Sequence, residues 1–245
     1  MSFEITGKIA LVTGSNRGIG KGFVTTLLAG GAKTIYAAAR DINSLAELVQ
    51  LNPDVIKPIT LDVTQPAQLT AVCEQISSLD ILINNAGIID PALCSAANAT
   101  ELARKEMEVN LFGPMQLTSG LLPALKQSQQ ALIVNIASIA AIANFPSIGT
   151  YSISKAAMHS YSEGLRADLN KEGIAVVCVY PGPTDTRMAA GMEMDKPHPD
   201  TVAQKTFTSL DMGEFEVFPD DFAKEMHATF LSSPQKLAAI FAQMG

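Results

Sequence analysis

Short apolar segments alternate with longer stretches of helical patterning along most of this chain. Apolar runs of about four to eight residues bounded by glycine or polar residues are typical of buried strands. We predict strands at residues 8–13, 34–39, 55–61, 80–84, 131–138 and 175–180, and helices between them at residues 20–29, 44–51, 65–77, 100–126 and 151–170. Strands that alternate with helices form a parallel sheet with helices on both faces. The sequence therefore predicts an α/β protein with a doubly wound parallel sheet in three layers.

We see no linker, repeat or low-complexity segment, so we predict one domain over residues 1–245. Pro58 lies inside the third predicted strand, where a residue without an N–H group is tolerated only at the edge of a sheet. In the Rossmann strand order 3-2-1-4-5-6 the third strand is an edge strand. The position of this proline therefore agrees independently with a Rossmann sheet.

The composition excludes several classes of protein. Hydrophobic residues make up 47% of the chain and charged residues 17%, which indicates a globular protein with a large core. A net charge of −7 argues against a nucleic-acid surface. No apolar run approaches the ~20 residues that span a bilayer, and the first residues do not resemble a signal peptide. Three widely spaced cysteines and scattered histidines predict a cytoplasmic protein with reduced thiols and no metal site.

A glycine-rich loop joins the first predicted strand to the first predicted helix. Glycines allow a tight turn there and let the backbone approach a pyrophosphate at the start of the helix. An ordinary glycine-rich turn is the alternative, but this pattern arises by chance in roughly one of a few hundred such chains. The cofactor-binding residues predicted here are Gly14, Ser15, Asn16, Arg17, Gly18, Ile19 and Gly20.

Tyr151 and Lys155 stand four residues apart in a predicted helix, so the phenol and the ammonium group share one helical face. A cation about 4 Å from the phenol is worth roughly 4 kcal/mol at an effective dielectric constant of about 20. We expect this to lower the pKa of Tyr151 by about three units, from about 10 toward 7. The spacing alone arises by chance in roughly one such chain in five, so it gains weight only from other motifs.

Those other motifs occur in a fixed order along the chain. They are Thr-Gly-x-x-x-Gly-x-Gly at residues 13–20, Asp62-Val63, Asn84-Asn85-Ala86-Gly87, Asn110, Ser138 at 13 residues before Tyr151, Lys155, and Pro181-Gly182 followed by Thr186. Together they resemble the motifs of the short-chain dehydrogenases/reductases, in the compact single-domain branch. The resemblance covers residues 6–186, nearly three quarters of the chain.

The resemblance implies four catalytic residues: Asn110, Ser138, Tyr151 and Lys155. Tyr151 is expected to exchange a proton with the substrate, and Lys155 to lower the pKa of Tyr151 and contact the nicotinamide ribose. Ser138 is expected to donate a hydrogen bond to the substrate oxygen. Asn110 is expected to interrupt helical bonding and to hold a water that connects Lys155 to solvent. Alone, Ser138 is better explained as a strand-end hydroxyl and Asn110 as a structural polar group; their joint occurrence favours catalysis.

The resemblance also implies cofactor contacts outside the glycine loop. They are Asp62 and Val63 at the adenine, Asn85, Ala86 and Gly87 after the fourth strand, Tyr151 and Lys155, and Pro181, Gly182, Thr184 and Thr186 on the nicotinamide side. Thr184 stands where the family usually has an aliphatic residue, so we expect only its backbone to bind. Asp62 begins a cap-like pattern, so it can also start the turn before the third helix.

The end of the second strand predicts the choice of nucleotide. An acidic residue about 20 positions past the glycines binds the ribose 2′-hydroxyl in NAD enzymes, but Ala39 stands at this position. Arg40 follows directly and Arg17 lies in the glycine loop, and a guanidinium can bind a phosphate bidentately. The alternative is that both arginines are solvated and that Asp41 partly neutralises Arg40. We predict NADP(H) as the cofactor.

The resemblance implies an NADPH-dependent carbonyl reductase or alcohol dehydrogenase. A β-ketoacyl thioester reductase is an alternative, although a net charge of −7 disfavours docking of an acidic carrier protein. A regulatory member that binds nucleotide without turnover is another, against which the intact catalytic set argues. The loops at residues 88–99 and 139–150 carry one charge, Asp90, which favours a neutral, apolar ketone or aldehyde.

Beyond Thr186 the chain departs from the family pattern. We predict a short strand at residues 214–218 and helices at residues 220–231 and 235–243. Met188, Met192 and Met194 suit a substrate lid at about residues 183–212, with core filling as an equal alternative. The resemblance implies that the helices at residues 100–126 and 151–170 pair across a dimer interface. The small residues Ala156, Ala157, Ser160 and Gly164 allow close helix approach there, so we predict a homodimer or homotetramer.

Overall fold

The computed structural model describes residues 3–191 and 193–244, and seven parallel strands form one sheet within them. The strands are β1 (Ile9–Thr13), β2 (Thr34–Ala39), β3 (Ile56–Thr60), β4 (Ile81–Asn84), β5 (Ala131–Ile136), β6 (Ile174–Val179) and β7 (Glu216–Val217). The helices are α1 (Gly18–Ala29), α2 (Ala46–Gln50), α3 (Pro66–Gln75), α4 (Ala99–Met107), α5 (Gly113–Leu125), α6 (Gly149–Leu169), α7 (Pro199–Asp211), α8 (Asp221–Ser232) and α9 (Pro234–Met244). None of these helices is long and apolar enough to cross a membrane.

The strand order is β3-β2-β1-β4-β5-β6-β7. The chain adds β2 and β3 on one side of β1, and then β4 to β7 on the other side. Side chains alternate between the two faces of each strand. In β1, Ala10 and Val12 pack into the core shared with α1 and α7, whereas Leu11 packs into the core shared with α3 and α5. The doubly wound parallel sheet in three layers is therefore confirmed.

Pro58 lies on β3, and β3 pairs only with β2 among the described strands. Lys57 and Pro58 are both exposed on this strand, so the missing N–H group of the proline faces no further strand. The edge position expected from this proline is confirmed.

The long helix predicted at residues 100–126 is interrupted. A π-helical turn, Glu108–Phe112, separates α4 from α5, and Asn110 lies at its centre. Gly113 begins α5 at a point where a Cβ atom would lie 2.6 Å from the carbonyl oxygen of Val63. The interruption expected at Asn110 is present, and the close approach to Val63 shows what Gly113 contributes.

The C-terminal part of the chain closes one side of the sheet. α7 packs against α1, where a Cβ on Gly22 would lie 2.8 Å from the carbonyl oxygen of Pro199. The helices α8 and α9 form a hairpin that packs on residues 139–145. The rings of Phe145 and Phe241 lie 5.1 Å apart between centroids in that contact. The short strand and the two helices predicted for this region are confirmed to within two residues at their starts.

Candidate active site

The loop between β1 and α1 is packed without room for side chains at its glycines. A Cβ on Gly20 would overlap the carbonyl oxygen of Gly14, and a Cβ on Gly14 would lie 3.0 Å from the Cα of Ala86. Gly18 has a φ of +53°, which favours glycine, and a Cβ there would lie 3.0 Å from Cγ2 of Thr186. The loop therefore meets both the segment after β4 and the loop after β6, as a shared cofactor site requires.

The start of α1 is open to an anion. Arg17 caps the helix in an extended conformation but makes no side-chain capping bond, and the first turn carries no acidic residue. The first N–H groups of the helix and the positive end of its dipole are thus left for another partner. Ser15 donates to the carbonyl oxygen of Ala38 and is buried, whereas Asn16 and Ile19 are half-buried and Arg17 is exposed. These features fit the pyrophosphate of a dinucleotide.

Asn85 locks the segment after β4 onto the glycine loop. Its amide nitrogen Nδ2 donates to the carbonyl oxygens of Thr13 (2.8 Å) and Gly14 (3.1 Å). The hydroxyl of Thr13 in turn accepts from the backbone N–H groups of Asn85 and Ala86. The side-chain amide nitrogen of Asn85 is thus occupied by the loop, which leaves positioning as its evident role.

The residues that predict the choice of nucleotide are Ala39, Arg40 and Arg17, and contact of either arginine with a phosphate remains a prediction. Ala39 is buried at the end of β2, and both arginines are exposed. Asp41 accepts a hydrogen bond from the backbone of Asn43 and caps the turn that follows. Within the described part of the chain no ion pair joins Asp41 to Arg40, so the geometry does not support neutralisation of Arg40.

Asp62 starts the turn before α3. Its Oδ1 accepts from the backbone N–H and the hydroxyl of Thr64, at 3.0 and 2.8 Å. Val63 is buried, with its carbonyl oxygen against Gly113. The turn role that the sequence left open is therefore present, and contact with an adenine remains a prediction.

Ser138 and Tyr151 meet at the carboxyl end of β5. Tyr151 lies in the first turn of α6, is 7% exposed and is hydrogen-bonded to the side chain of Ser138. Ser138 also accepts from the backbone of Ala140 at 3.2 Å and faces the carbonyl oxygen of Pro181 at 3.5 Å. The hydroxyl of Ser138 thus connects the phenol to the loop after β6.

Lys155 lies one turn further along α6 and is buried. Its Nζ donates to the carbonyl oxygen of Ile136 at 2.8 Å and lies 5.6 Å from the ring centroid of Tyr151. Burial lowers the pKa of Lys155 to about 8. The lysine is therefore held on the backbone of β5, beside the phenol ring.

The expected lowering of the tyrosine pKa is wrong for this structure. Burial raises the pKa of Tyr151 to about 12, the hydrogen bond to Ser138 lowers it, and the charge of Glu106 raises it. From the sequence we considered only the attraction between the Lys155 ammonium and the Tyr151 phenolate. Burial also removes the phenolate from water, which disfavours it. Tyr151 consequently holds its proton firmly at neutral pH.

Asn110 is bound tightly to the segment after β4. Its Oδ1 accepts from the backbone N–H of Ile88 at 2.8 Å, while its Nδ2 donates to the carbonyl oxygen of Ile88 and to Oγ of Ser154, both at 2.9 Å. A Cβ on Gly87 would lie 3.3 Å from Oδ1 of Asn110 and 3.6 Å from Nζ of Lys155. The structure brings these residues together, and the water relay through Asn110 remains a prediction.

Asp220 is a site residue that the sequence analysis missed. Its Oδ2 accepts from the backbone N–H of Gly182 at 2.8 Å, and its Oδ1 accepts from Ala223 at 2.8 Å, which caps α8. Thr184 is buried and donates to the carbonyl oxygen of Gly182. An aspartate before a helical stretch is a visible capping signal, but nothing in the sequence indicates its second partner, Gly182.

A sequence model of the family described as short chain dehydrogenase matches residues 8–197. This chain belongs to the short-chain dehydrogenase family. It is 33% identical over 196 residues to an uncharacterized oxidoreductase of Staphylococcus saprophyticus, covering 76% of this chain and 82% of the relative. It is 32% identical over 192 residues to a 3-alpha-(or 20-beta)-hydroxysteroid dehydrogenase of Mycobacterium tuberculosis, covering 77% and 73%.

Two solved structures are similar to this chain over most of its length. A short-chain dehydrogenase from Burkholderia cenocepacia in complex with NADP has a TM-score of 0.91 at 33% identity, covering 98% of this chain and 99% of that one. The RhlG protein of Pseudomonas aeruginosa in an NADP active-site complex has a TM-score of 0.81 at 28% identity, covering 91% and 100%. Since the first match spans nearly the entire chain, the helices after β7 belong to a fold that another short-chain dehydrogenase also has.

Proposed function

We propose that this short-chain dehydrogenase reduces a ketone or aldehyde with NADPH, with Tyr151 as the proton donor. The observation that carries the proposal is the cluster at the end of β5, where the buried phenol of Tyr151 is hydrogen-bonded to Ser138 beside the ammonium group of Lys155. No other constellation in the described residues places an acid, a hydroxyl donor and a cation together beside the glycine loop.

A bound nicotinamide would supply the two electrons of the reduction as hydride to the carbonyl carbon. The residues of this chain supply the proton and the electrostatic field. Tyr151 is protonated before the reaction because its pKa is raised to about 12, so it can give its proton to the oxygen as negative charge develops there. The hydroxyl of Ser138 can donate a hydrogen bond to the same oxygen. Lys155, fixed on the carbonyl oxygen of Ile136, stabilises the phenolate left on Tyr151.

The preference for NADPH over NADH is inferred from residues at the end of β2 and in the glycine loop. Two exposed guanidinium groups, Arg17 and Arg40, are available for a 2′-phosphate, and Ala39 takes the place of the acid that binds a 2′-hydroxyl. The Burkholderia and Pseudomonas relatives are both named as NADP complexes, which supports the same choice here.

The substrate that fits is neutral and apolar. Asp90, the one charge in the loops at residues 88–99 and 139–150, is paired with Lys105 at 2.8 Å. Phe145, within the loop at residues 139–148, packs against Phe241 of α9. An exposed Met188 and an exposed Met194 suit a lid over residues 183–198, and Met192 lies outside the described residues. Residues 199–211 form α7, whose Val202 and Ala203 are core residues, so the proposed lid ends before α7.

We propose a cytoplasmic homodimer or homotetramer that pairs through the outer faces of α4, α5 and α6. On these faces Phe112 is 40% exposed and Ile153 45% exposed. Ala156 and Ser160 are exposed on the same helix as Ile153, and a Cβ on Gly164 would meet no atom within 4 Å. A small, apolar outer face of this kind is typical of helix pairing. Light scattering that gives a monomer at micromolar concentration would reject this assembly.

The function is tested by NADPH consumption with a panel of neutral aldehydes, aliphatic ketones, steroid ketones and β-ketoacyl thioesters. We expect turnover with apolar ketones or aldehydes and none in the Tyr151→Phe variant. Turnover confined to acyl thioesters would replace the proposal with a β-ketoacyl reductase. Tight NADPH binding without turnover on any panel member would replace it with a regulatory role.

A further inference from the structure

A glutamate that the catalytic scheme does not use lies buried on α4, at the level of the first turn of α6, which carries Tyr151. Glu106, on α4, is 0% exposed. Its Oε1 accepts a hydrogen bond from the backbone N–H of Asp90 at 2.9 Å, whereas its Oε2 is buried without a hydrogen-bond partner among the described residues. Buried carboxyl groups are rare, and they are normally paired. A buried carboxyl with one unpartnered oxygen at this place therefore calls for a role.

The geometry of α4 and α6 places Glu106 at the level of Tyr151. Both helices connect strands on the same face of a parallel sheet, so they run in the same direction. The hydrogen bond from Asn110 to Ser154 fixes their register. Thr150, which precedes Tyr151, lies four residues or about one helical turn before Ser154. Glu106 likewise lies four residues before Asn110.

We propose that Glu106 is a positioning residue for Tyr151, whose buried carboxylate holds the proton on the phenol and extends carbonyl reduction to higher pH. This inference rests on the proposed reductase function for its consequence in catalysis. Its electrostatic part concerns only residues of this chain.

Three charged groups lie near Glu106 or Tyr151, namely Asp90, Lys105 and Lys155. Asp90 and Lys105 form an ion pair with each other at 2.8 Å, and that pair is partly exposed. Lys155 faces Tyr151 from the next turn of α6, with its Nζ on the carbonyl oxygen of Ile136, and favours the phenolate, so the charge of Glu106 opposes that of Lys155. A negative charge in a buried, poorly screened site disfavours a second negative charge on a neighbouring phenol. Consistently, the charge of Glu106 raises the pKa of Tyr151.

The consequence for the reaction follows from the proton balance. In reduction the O–H bond of Tyr151 breaks as the O–H bond of the product alcohol forms, and the phenolate then takes a proton from solvent. The step requires the protonated phenol, so its rate falls where Tyr151 ionises. A carboxylate that disfavours the phenolate moves this alkaline limit upward.

The test compares Glu106→Gln with Glu108→Gln. Glutamine keeps the shape of Glu106 and an oxygen for the N–H of Asp90, but removes the charge. Glu108 is exposed two residues later, so its variant makes the same change of net charge at the surface. We expect the alkaline limb of kcat/KM for reduction to move to lower pH by at least about half a unit, or roughly threefold in the ionisation constant, in Glu106→Gln only.

A second measurement does not depend on a substrate. The ultraviolet absorbance of the Tyr151 phenolate is followed during pH titration and isolated by subtracting the same protein with Tyr151→Phe. We expect ionisation at lower pH in Glu106→Gln than in wild type, even if no carbonyl compound is reduced. Glu106→Asp, which keeps the charge, is expected to titrate close to wild type and remains informative if Glu106→Gln does not fold.

Three results overturn the proposal. They are an unchanged Tyr151 titration in Glu106→Gln, an equal shift in Glu108→Gln, and a Glu106→Asp variant with the alkaline limb expected of the neutral glutamine. If Tyr151 ionises at lower pH in Glu106→Gln than in wild type but no carbonyl compound is reduced, the reductase function is overturned and the role of Glu106 stands.

Discussion

The two sides of the candidate site are built in different ways. On the nucleotide side, the side-chain amide of Asn85 is bonded to backbone carbonyl oxygens of the glycine loop, and a Cβ on Gly20 would overlap the carbonyl oxygen of Gly14. On the substrate side, residues 139–148 rest on the α8–α9 hairpin through large apolar side chains, including Phe145 and Phe241. Backbone contacts of this kind allow little variation, whereas an apolar wall accepts exchanges that conserve volume. We infer that the first side fixes the cofactor and the second sets the choice of substrate.

The largest expected loss of stability comes from a substitution on the substrate side. Phe241 is fully buried, so Phe241→Ala removes a core ring and is expected to destabilise the protein by about 3–5 kcal/mol. We expect KM for the carbonyl substrate to rise while NADPH affinity stays close to wild type. Denaturant unfolding, steady-state kinetics and fluorescence titration with NADPH measure the three quantities. Leu231→Ala, at an exposed position of α8, is the control. An equal loss of NADPH affinity in Phe241→Ala would contradict the separation of the two sides.

The next effect is on the nucleotide side. Gly20→Ala forces a Cβ against the backbone of Gly14, which must displace the glycine loop. Since displacement of a positioning group by about 1 Å can lower activity on the order of 10²-fold, we expect a comparable loss of kcat/KM for NADPH. The control is Lys205→Ala, at an exposed position of α7, the helix that packs against α1. This control is expected to keep activity. Similar losses in both variants would show that the tight loop has no special role.

The local motifs of the site were largely predictable from sequence, and the contacts between distant segments were not. The glycine loop, Tyr151 with Lys155 and the edge proline Pro58 are local patterns, and the local backbone dictates their structure. Asp220 was missed because its partner Gly182 lies 38 residues away, and Glu106 was missed because Tyr151, whose pKa its charge raises, lies on another helix. Neither contact leaves a spacing signal in a single sequence.

The error in the pKa of Tyr151 has the same origin. The spacing of Tyr151 and Lys155 gave the attraction between them, but burial depends on packing by residues far apart in the chain. Burial was the larger effect and reversed the direction of the shift. The position of Asn110 in a π-helical turn was expected from the resemblance, whereas its two bonds to Ile88 were visible only in the structure.

The smallest expected effect is on the preference for NADPH over NADH, which depends on Arg40 at the end of β2. We expect wild-type kcat/KM to favour NADPH over NADH by at least about tenfold, since a charged hydrogen bond is worth about 1.5–3 kcal/mol. Arg40→Ala is expected to remove most of this preference and to leave the efficiency with NADH nearly unchanged. Arg104→Ala, at an exposed arginine on α4, is the control. Equal or better efficiency with NADH in the wild-type enzyme would contradict the phosphate site.

The central claim is that Tyr151 gives the proton in an NADPH-dependent reduction, and Tyr151→Phe tests it most directly. The variant removes one hydroxyl, so NADPH binding is expected to persist. The matched control is Tyr161→Phe, which removes a phenol hydroxyl on the same helix, α6, that is bonded to Thr118 of α5. We expect kcat of Tyr151→Phe to fall about 10²–10⁴-fold while the control stays near wild type. A Tyr151→Phe enzyme that kept more than roughly a tenth of wild-type kcat would contradict the account.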